Sequence, residues 1–260
     1  MTTNKHFDLL ANAQDSLAHA INHIVEDKTP SKWKIAVREV VHVIELMLKE
    51  RLRQTHPAFL WVKVEHLNDP DKNTVTLDEA QIRLDKICHV RLPPDDNNTL
   101  TMCKKLRNQI EHFEFQLNEA EARPIVARLV SFIFSFTKQH LAVDWEDEFR
   151  RDDRWKALLE IEEFVEARVK VIQEHLERDS TSTTECPACY APVFNLEAEE
   201  CELCGHTESQ IECFSCGEYV WEREVELVPV DVLGNENYIC KGCIESSKYE
   251  DYMLDEHREE

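Results

Sequence analysis

Glycine is nearly missing from this chain: there are four in 260 residues. Folds built on many tight turns or on glycine-rich phosphate loops use it repeatedly. Its scarcity, with 32% charged residues, points instead to long helices. Long apolar runs are missing too. The most hydrophobic stretch, Ile125 to Phe136, is too short to span a bilayer and carries Arg128, so it reads as a buried core helix. Nothing from Met1 to Leu10 resembles the apolar centre of an export signal, which makes the cytoplasm the expected compartment and cystines unexpected. Cysteine is almost absent before residue 186, where only Cys88 and Cys103 occur.

The other eight cysteines form four Cys-x-x-Cys pairs: Cys186/Cys189, Cys201/Cys204, Cys213/Cys216 and Cys240/Cys243. One such knuckle brings two thiolates to a tetrahedral ion from a single turn, and two knuckles close a four-cysteine site. Eight ligands predict two structural zinc ions per chain. Gly205 and Gly217 directly follow Cys204 and Cys216, where a knuckle's closing turn needs positive φ. Eleven residues part Cys189 from Cys201 and 23 part Cys216 from Cys240, room for a short and a longer hairpin. Sequential ribbons are the simplest pairing. A cross-braced one stays open, because only eight residues part Cys204 from Cys213.

Positive charge is what the C-terminal part lacks. Residues 1–142 hold 19 Lys and Arg against 19 Asp and Glu, whereas 143–260 hold 11 against 33, the whole of the net −22. Between Cys186 and Cys243 two basic residues, Arg223 and Lys241, face 12 acidic ones. Such a surface repels phosphate, so these ribbons are not expected to bind nucleic acid, and DNA is not an expected partner. A protein-docking or purely structural role fits them better.

Phe7, Leu10, Leu17, Ile21 and Ile24 recur at helical spacing. Thr29 and Pro30 read as cap and first residue of a second helix that exits near Gln54. Residues 59–76 suggest a small hairpin or extended excursion, after which Thr76 and Glu79 form a capping box for a helix to about Val90. Pro93 and Pro94 end it, and a fourth helix is predicted over about 99–117. Its apolar residues Cys103, Leu106, Ile110, Phe113 and Leu117 share one face. Arg107, Asn108, Glu111 and His112 occupy the opposite one. Such a stripe is what a solvated face with an Arg107–Glu111 pair gives, and also what a site open to a partner gives. Spacing alone does not separate the two.

The segment Leu106-Arg107-Asn108-Gln109-Ile110-Glu111-His112 resembles the Arg-polar-x-x-x-His signature of HEPN domains, helical bundles common among prokaryotic toxins, defence proteins and RNA-processing nucleases. The similarity extends to the helical pattern of 1–142 and to Val43–Lys49, where Glu45 and Lys49 match the acidic residue and nearby lysine of the family's second helix. In the family, motif helices of two protomers face each other across a two-fold axis and build one ribonuclease site. The resemblance therefore implies a homodimer acting on RNA without a catalytic metal. Carried over, Arg107 contacts the scissile phosphate, Asn108 orients the phosphate or the histidine, and His112 is general base or acid. An imidazole's ordinary pKa of about 6.5 suits that work at neutral pH. Affinity for RNA then rests on a local basic patch such as Lys104, Lys105 and Arg107.

Residues 143–184 read as a connecting amphipathic helix and hinge, with Leu158, Val165, Val169, Ile172 and Leu176 near heptad spacing and Glu162 interrupting them. The expected architecture is mainly α: a HEPN-like bundle over 1–142, this connector, a small β-rich tandem ribbon over 185–245 and an acidic tail over 246–260. Two functions are consistent with it. One is a metal-independent endoribonuclease of a defence or stress response, with the ribbons as sensor or docking module. The other is a non-catalytic dimeric adaptor whose acidic ribbons recruit a basic protein.

Overall fold

The computed structural model describes residues 7–25, 29–112, 119–229 and 236–246. Two compact units divide the chain, Met1–His175 and Leu176–Glu260. The first is helical and the second carries three small antiparallel sheets. No helix among the described residues is long and apolar enough to cross a membrane.

Helices α1 (Leu9–Val25) and α2 (Pro30–Thr55) pack along each other and form one side of the core. Leu17, Ile21, Val37, Val40, Ile44, Met47 and Leu48 are wholly buried there, as their helical spacing predicts. The excursion at 57–75 consists of short 3-10 turns and a single bridge between Trp61 and Thr74. Arg83 holds it in place by donating to the carbonyls of Phe59, Trp61 and Val62. The capping box at Thr76 and Glu79 opens α3 (Leu77–Lys86) as expected.

Helix α3 ends before Val90, turning at His89 with φ 54°. The sequence offers no glycine at that stop, so the pattern ran past it. Helix α4 (Pro94–His112) starts five residues earlier than expected. Pro94 sits at the first helical position, where its missing N–H costs nothing, so the second proline opens a helix rather than closing one. Leu100, Cys103, Leu106 and Ile110 face the core; Phe113 and Leu117 lie outside the described residues, as does the tail from 247.

After α5 (Glu119–Phe136), a π-helical turn at Thr137–Leu141 ends on Ala142 in the left-handed region. The stretch expected to be one connecting helix is three: α6 (Trp145–Arg150), α7 (Asp153–Leu159) and α8 (Glu162–Arg178). Trp145, Phe149, Trp155, Leu158 and Phe164 belong to the same core as α1–α5. Phe134 of α5 meets Phe149 and Trp155 at 5.8 Å between ring centroids, and Trp155 meets Phe164 edge-on at 5.5 Å. Along α8 the buried row is Phe164, Arg168, Ile172, Leu176, with Val165 and Val169 only half-buried.

A charge in that row is tolerated because Glu146 of α6 takes Arg168 through both carboxylate oxygens and Ser135 accepts a third hydrogen bond at 3.0 Å. Both ions are about 95% buried. Glu146→Ala strands the guanidinium and is expected to lower stability by about 3–5 kcal/mol. Replacing the pair together, Glu146→Leu with Arg168→Met, is expected to cost far less, and urea melts of the two proteins check it.

Candidate metal centres and a polar cleft

The second unit is organised around its cysteines. In the first module, strands β1 (Thr183–Thr184), β2 (Phe194–Asn195) and β3 (Glu200–Cys201) form a three-stranded sheet. The second module holds two hairpins, β4 (Gln210–Glu212) with β5 (Tyr219–Trp221), and β6 (Val225–Pro229) with β7 (Glu236–Cys240). Cys186, Cys189, Cys201 and Cys204 form one group and Cys213, Cys216, Cys240 and Cys243 the other, the sulfurs of each within 4.8 Å of one another. The pairing is sequential, which settles the alternative that spacing left open. Both groups are positioned to hold a metal ion.

Three of the four knuckles share one backbone device. The amide after each second cysteine donates to the carbonyl of the first: Tyr190 to Cys186 at 2.9 Å, Gly205 to Cys201 at 2.9 Å and Gly217 to Cys213 at 2.8 Å. These three turns need positive φ, and Tyr190 adopts 61° where the knuckles at Cys201 and Cys213 use glycine; the fourth, at Cys240, runs into a helical turn instead. Amides of Ala188, Cys204, Cys240 and Cys243 point at cysteine sulfurs at 3.3–3.5 Å, an arrangement that stabilises thiolates. Hydrogen bonds from Cys201 and Cys204 hold the Cys189 thiol down to about 4, while its bond to Cys189 pushes Cys204 upward. Four sulfurs this close do not all ionise without a cation between them, so the donor set itself fits a metal.

The modules differ beneath this likeness. Val193, Phe194 and Leu203 are buried in the first, and Phe194 meets Trp221 edge-on at 4.8 Å. In the second, Cys213 is the one buried residue among those described. Loss of metal therefore leaves the second module no core to fall back on. Graded chelation followed by hydrogen exchange is expected to deprotect 210–246 before 186–208; the reverse order would contradict this.

In the first unit, α2 and α4 leave a cleft of about 280 Å³ lined by Arg38, Glu39, Val41, His42, Glu45, Arg107 and Glu111. Arg107 pairs with Glu111 at 3.2 Å and reaches Glu45 at 4.0 Å. Glu45 in turn accepts from the buried Lys49. Asn108 and His112 lie one turn apart on the exposed face of α4, outside this lining, with His112 Nε2 3.9 Å from Glu111. The structure thus joins Arg107 to Glu45 and Lys49 and leaves Asn108 and His112 open. The expected basic patch is mostly spent: Lys104 pairs with Asp78 and bonds Gln81 at 2.8 Å, and Arg107 is taken by carboxylates.

Sequence reading passed over Arg38, Glu39 and His42. Their spacing with Glu45, at i, i+1, i+4 and i+7, was a visible signal, since it sets four polar groups on one side of an otherwise apolar helix. No family model, curated protein or solved structure matches the chain.

Proposed function

We propose that this chain is a metal-independent endoribonuclease of HEPN type that acts as a dimer, with its two cysteine groups each holding a structural zinc. The observation that carries the catalytic reading is the cleft, in which Arg107 of the motif lies against Glu45 of α2, itself paired with Lys49. The open Asn108 and His112 support assembly of the remainder from a second chain. The homodimer places two arginines about the scissile phosphate. His112 takes the proton of the 2′-hydroxyl, the 2′-oxygen attacks phosphorus, and the P–O5′ bond breaks. The leaving 5′-oxygen receives a proton from the symmetry-related histidine, giving a 2′,3′-cyclic phosphate and a 5′-hydroxyl. Arginine supplies the charge stabilisation for which other nucleases use magnesium.

For zinc, the fit is metrical. Thiolates about 2.3 Å from a tetrahedral ion lie about 3.8 Å apart. Cys186 and Cys204 are 3.7 Å apart, Cys189 and Cys201 3.7 Å, and Cys213 and Cys243 4.0 Å. Such an ion is closed to substrate and organises the fold alone.

The cleft carries three carboxylates against two arginines, so Arg107 must leave Glu111 to meet a phosphate. Glu111→Gln loosens a half-exposed pair worth about 0.3–0.5 kcal/mol, so cleavage of RNA is expected to rise by about twofold. A fall would show that Glu111 takes part in the chemistry. Incubation of the purified protein with mixed RNA, beside Arg107→Ala, tests the reading as a whole.

A further inference from the structure

We propose that the β6/β7 face of the second cysteine module, with the adjoining knuckle, is a docking surface for an arginine-rich segment of another protein. The register places Leu227 opposite Tyr238 and Pro229 opposite Glu236, so these four side chains share one face of the hairpin. Val225 and the ligand Cys240, paired two residues on, set the metal group at the end of that face. Leu227 is 52% exposed and Tyr238 47%. Phe214, on the knuckle, donates its amide to the Tyr238 carbonyl at 2.9 Å and is itself 63% exposed.

Single exposed apolar residues are ordinary, but three adjacent ones in a module without a core are not. Packing does not explain them. In the first module, by contrast, Phe194 and Leu203 are buried, with Tyr190 its one large exposed apolar residue among those described.

Charge then selects the occupant. Glu236 lies on this face and Glu226 on the opposite one; with Glu212, Glu218 and Glu224 elsewhere in the module, all five are exposed and, among the described residues, carry no ion pair. Both cations of the module are turned to internal use: Arg223 reaches Glu208 and the Pro187 carbonyl, and Lys241 donates to the Arg223 carbonyl at 2.9 Å. Four thiolates around a divalent ion add two further negative charges. A second copy of this face is repelled by it, and so is the chain's own end, where 247–260 holds six acidic residues against two basic. A guanidinium satisfies both features, because it stacks on an aromatic ring while donating to a carboxylate, which an ammonium does less well.

The test uses the full metal-loaded chain and two fluorescent twelve-residue peptides of equal charge, one alternating Arg with Gly and the other Lys with Gly. The arginine peptide is expected to bind more tightly, and Leu227→Ser with Tyr238→Ser to weaken it at least about tenfold. Glu236→Gln, at an exposed strand end, is expected to weaken it about threefold and serves as the second variant should the double one fail to load metal. Equal binding of both peptides, binding that ignores the variants, or self-association of the chain abolished by them would each overturn the proposal. None of these results depends on whether the chain cleaves RNA.

Discussion

Chelation at neutral pH is expected to unfold Leu176–Glu260 and leave most of the helical signal of Met1–His175 in place. The second unit has a small buried set, Leu176, Ala191, Val193, Phe194 and Leu203 beside its cysteines, far too little to offset the entropy of ordering its loops. Its strands are two to five residues long. Binding of a structural zinc contributes about 10–16 kcal/mol in small cysteine modules, so the metal decides whether the unit folds at all. The first unit draws instead on one continuous core. Elemental analysis is expected to find two zinc ions per chain, one for each group of four sulfurs. Far-ultraviolet circular dichroism should then change little on chelation, while exchange protection across 186–246 is lost. Protection that survives complete removal of metal would contradict the account.

Arg107→Ala and His112→Ala are each expected to lower RNA cleavage by about two to three orders of magnitude. The two differ in what else they disturb. His112 is exposed, with its side chain at 66%, so its removal should change stability by no more than about 0.5 kcal/mol. Arg107 lies between Glu45 and Glu111. Its removal leaves two carboxylates facing each other across the cleft, and a small loss of stability that Glu111→Gln restores is expected. Restored stability without restored cleavage would mark Arg107 as a participant in the reaction rather than a prop of the cleft.

The first four helices were legible because each carries an apolar stripe at helical period, and the Thr76–Glu79 box fixed one start to the residue. The stops were less legible. His89 turns the chain in a left-handed conformation without glycine, and Pro94 opens a helix where a proline pair suggested an end. The region after Ala142 was legible in part. Apolar spacing predicts one amphipathic helix packed on the bundle or on a dimer mate; Trp145 and Trp155 do fill the main core, but the stretch is three helices, with Glu146 and Arg168 buried as a pair. A one-dimensional pattern cannot show which charges find partners across 22 residues.

At the candidate sites the same division holds. Cysteine spacing revealed both groups of four cysteines that are positioned to hold a metal ion, because a knuckle is a local device. Their sequential pairing is a tertiary fact. The helical wheel of α4 identified Arg107, Asn108, Glu111 and His112 as one polar stripe, but it did not reveal that Arg107 turns toward α2 while Asn108 and His112 stay open. Nor could it show that Arg38, Glu39 and His42 complete the cleft, since they belong to a helix about sixty residues earlier in the chain.

The proposed reaction cuts RNA through the 2′-hydroxyl without a catalytic metal. Its most direct test is the chemistry of the product ends. Purified protein incubated with RNA in buffer free of magnesium and calcium is expected to leave 2′,3′-cyclic phosphate and 5′-hydroxyl termini, and His112→Ala to leave the RNA intact. Termini of 3′-hydroxyl and 5′-phosphate, cleavage only on addition of magnesium, or equal cleavage by His112→Ala would contradict it.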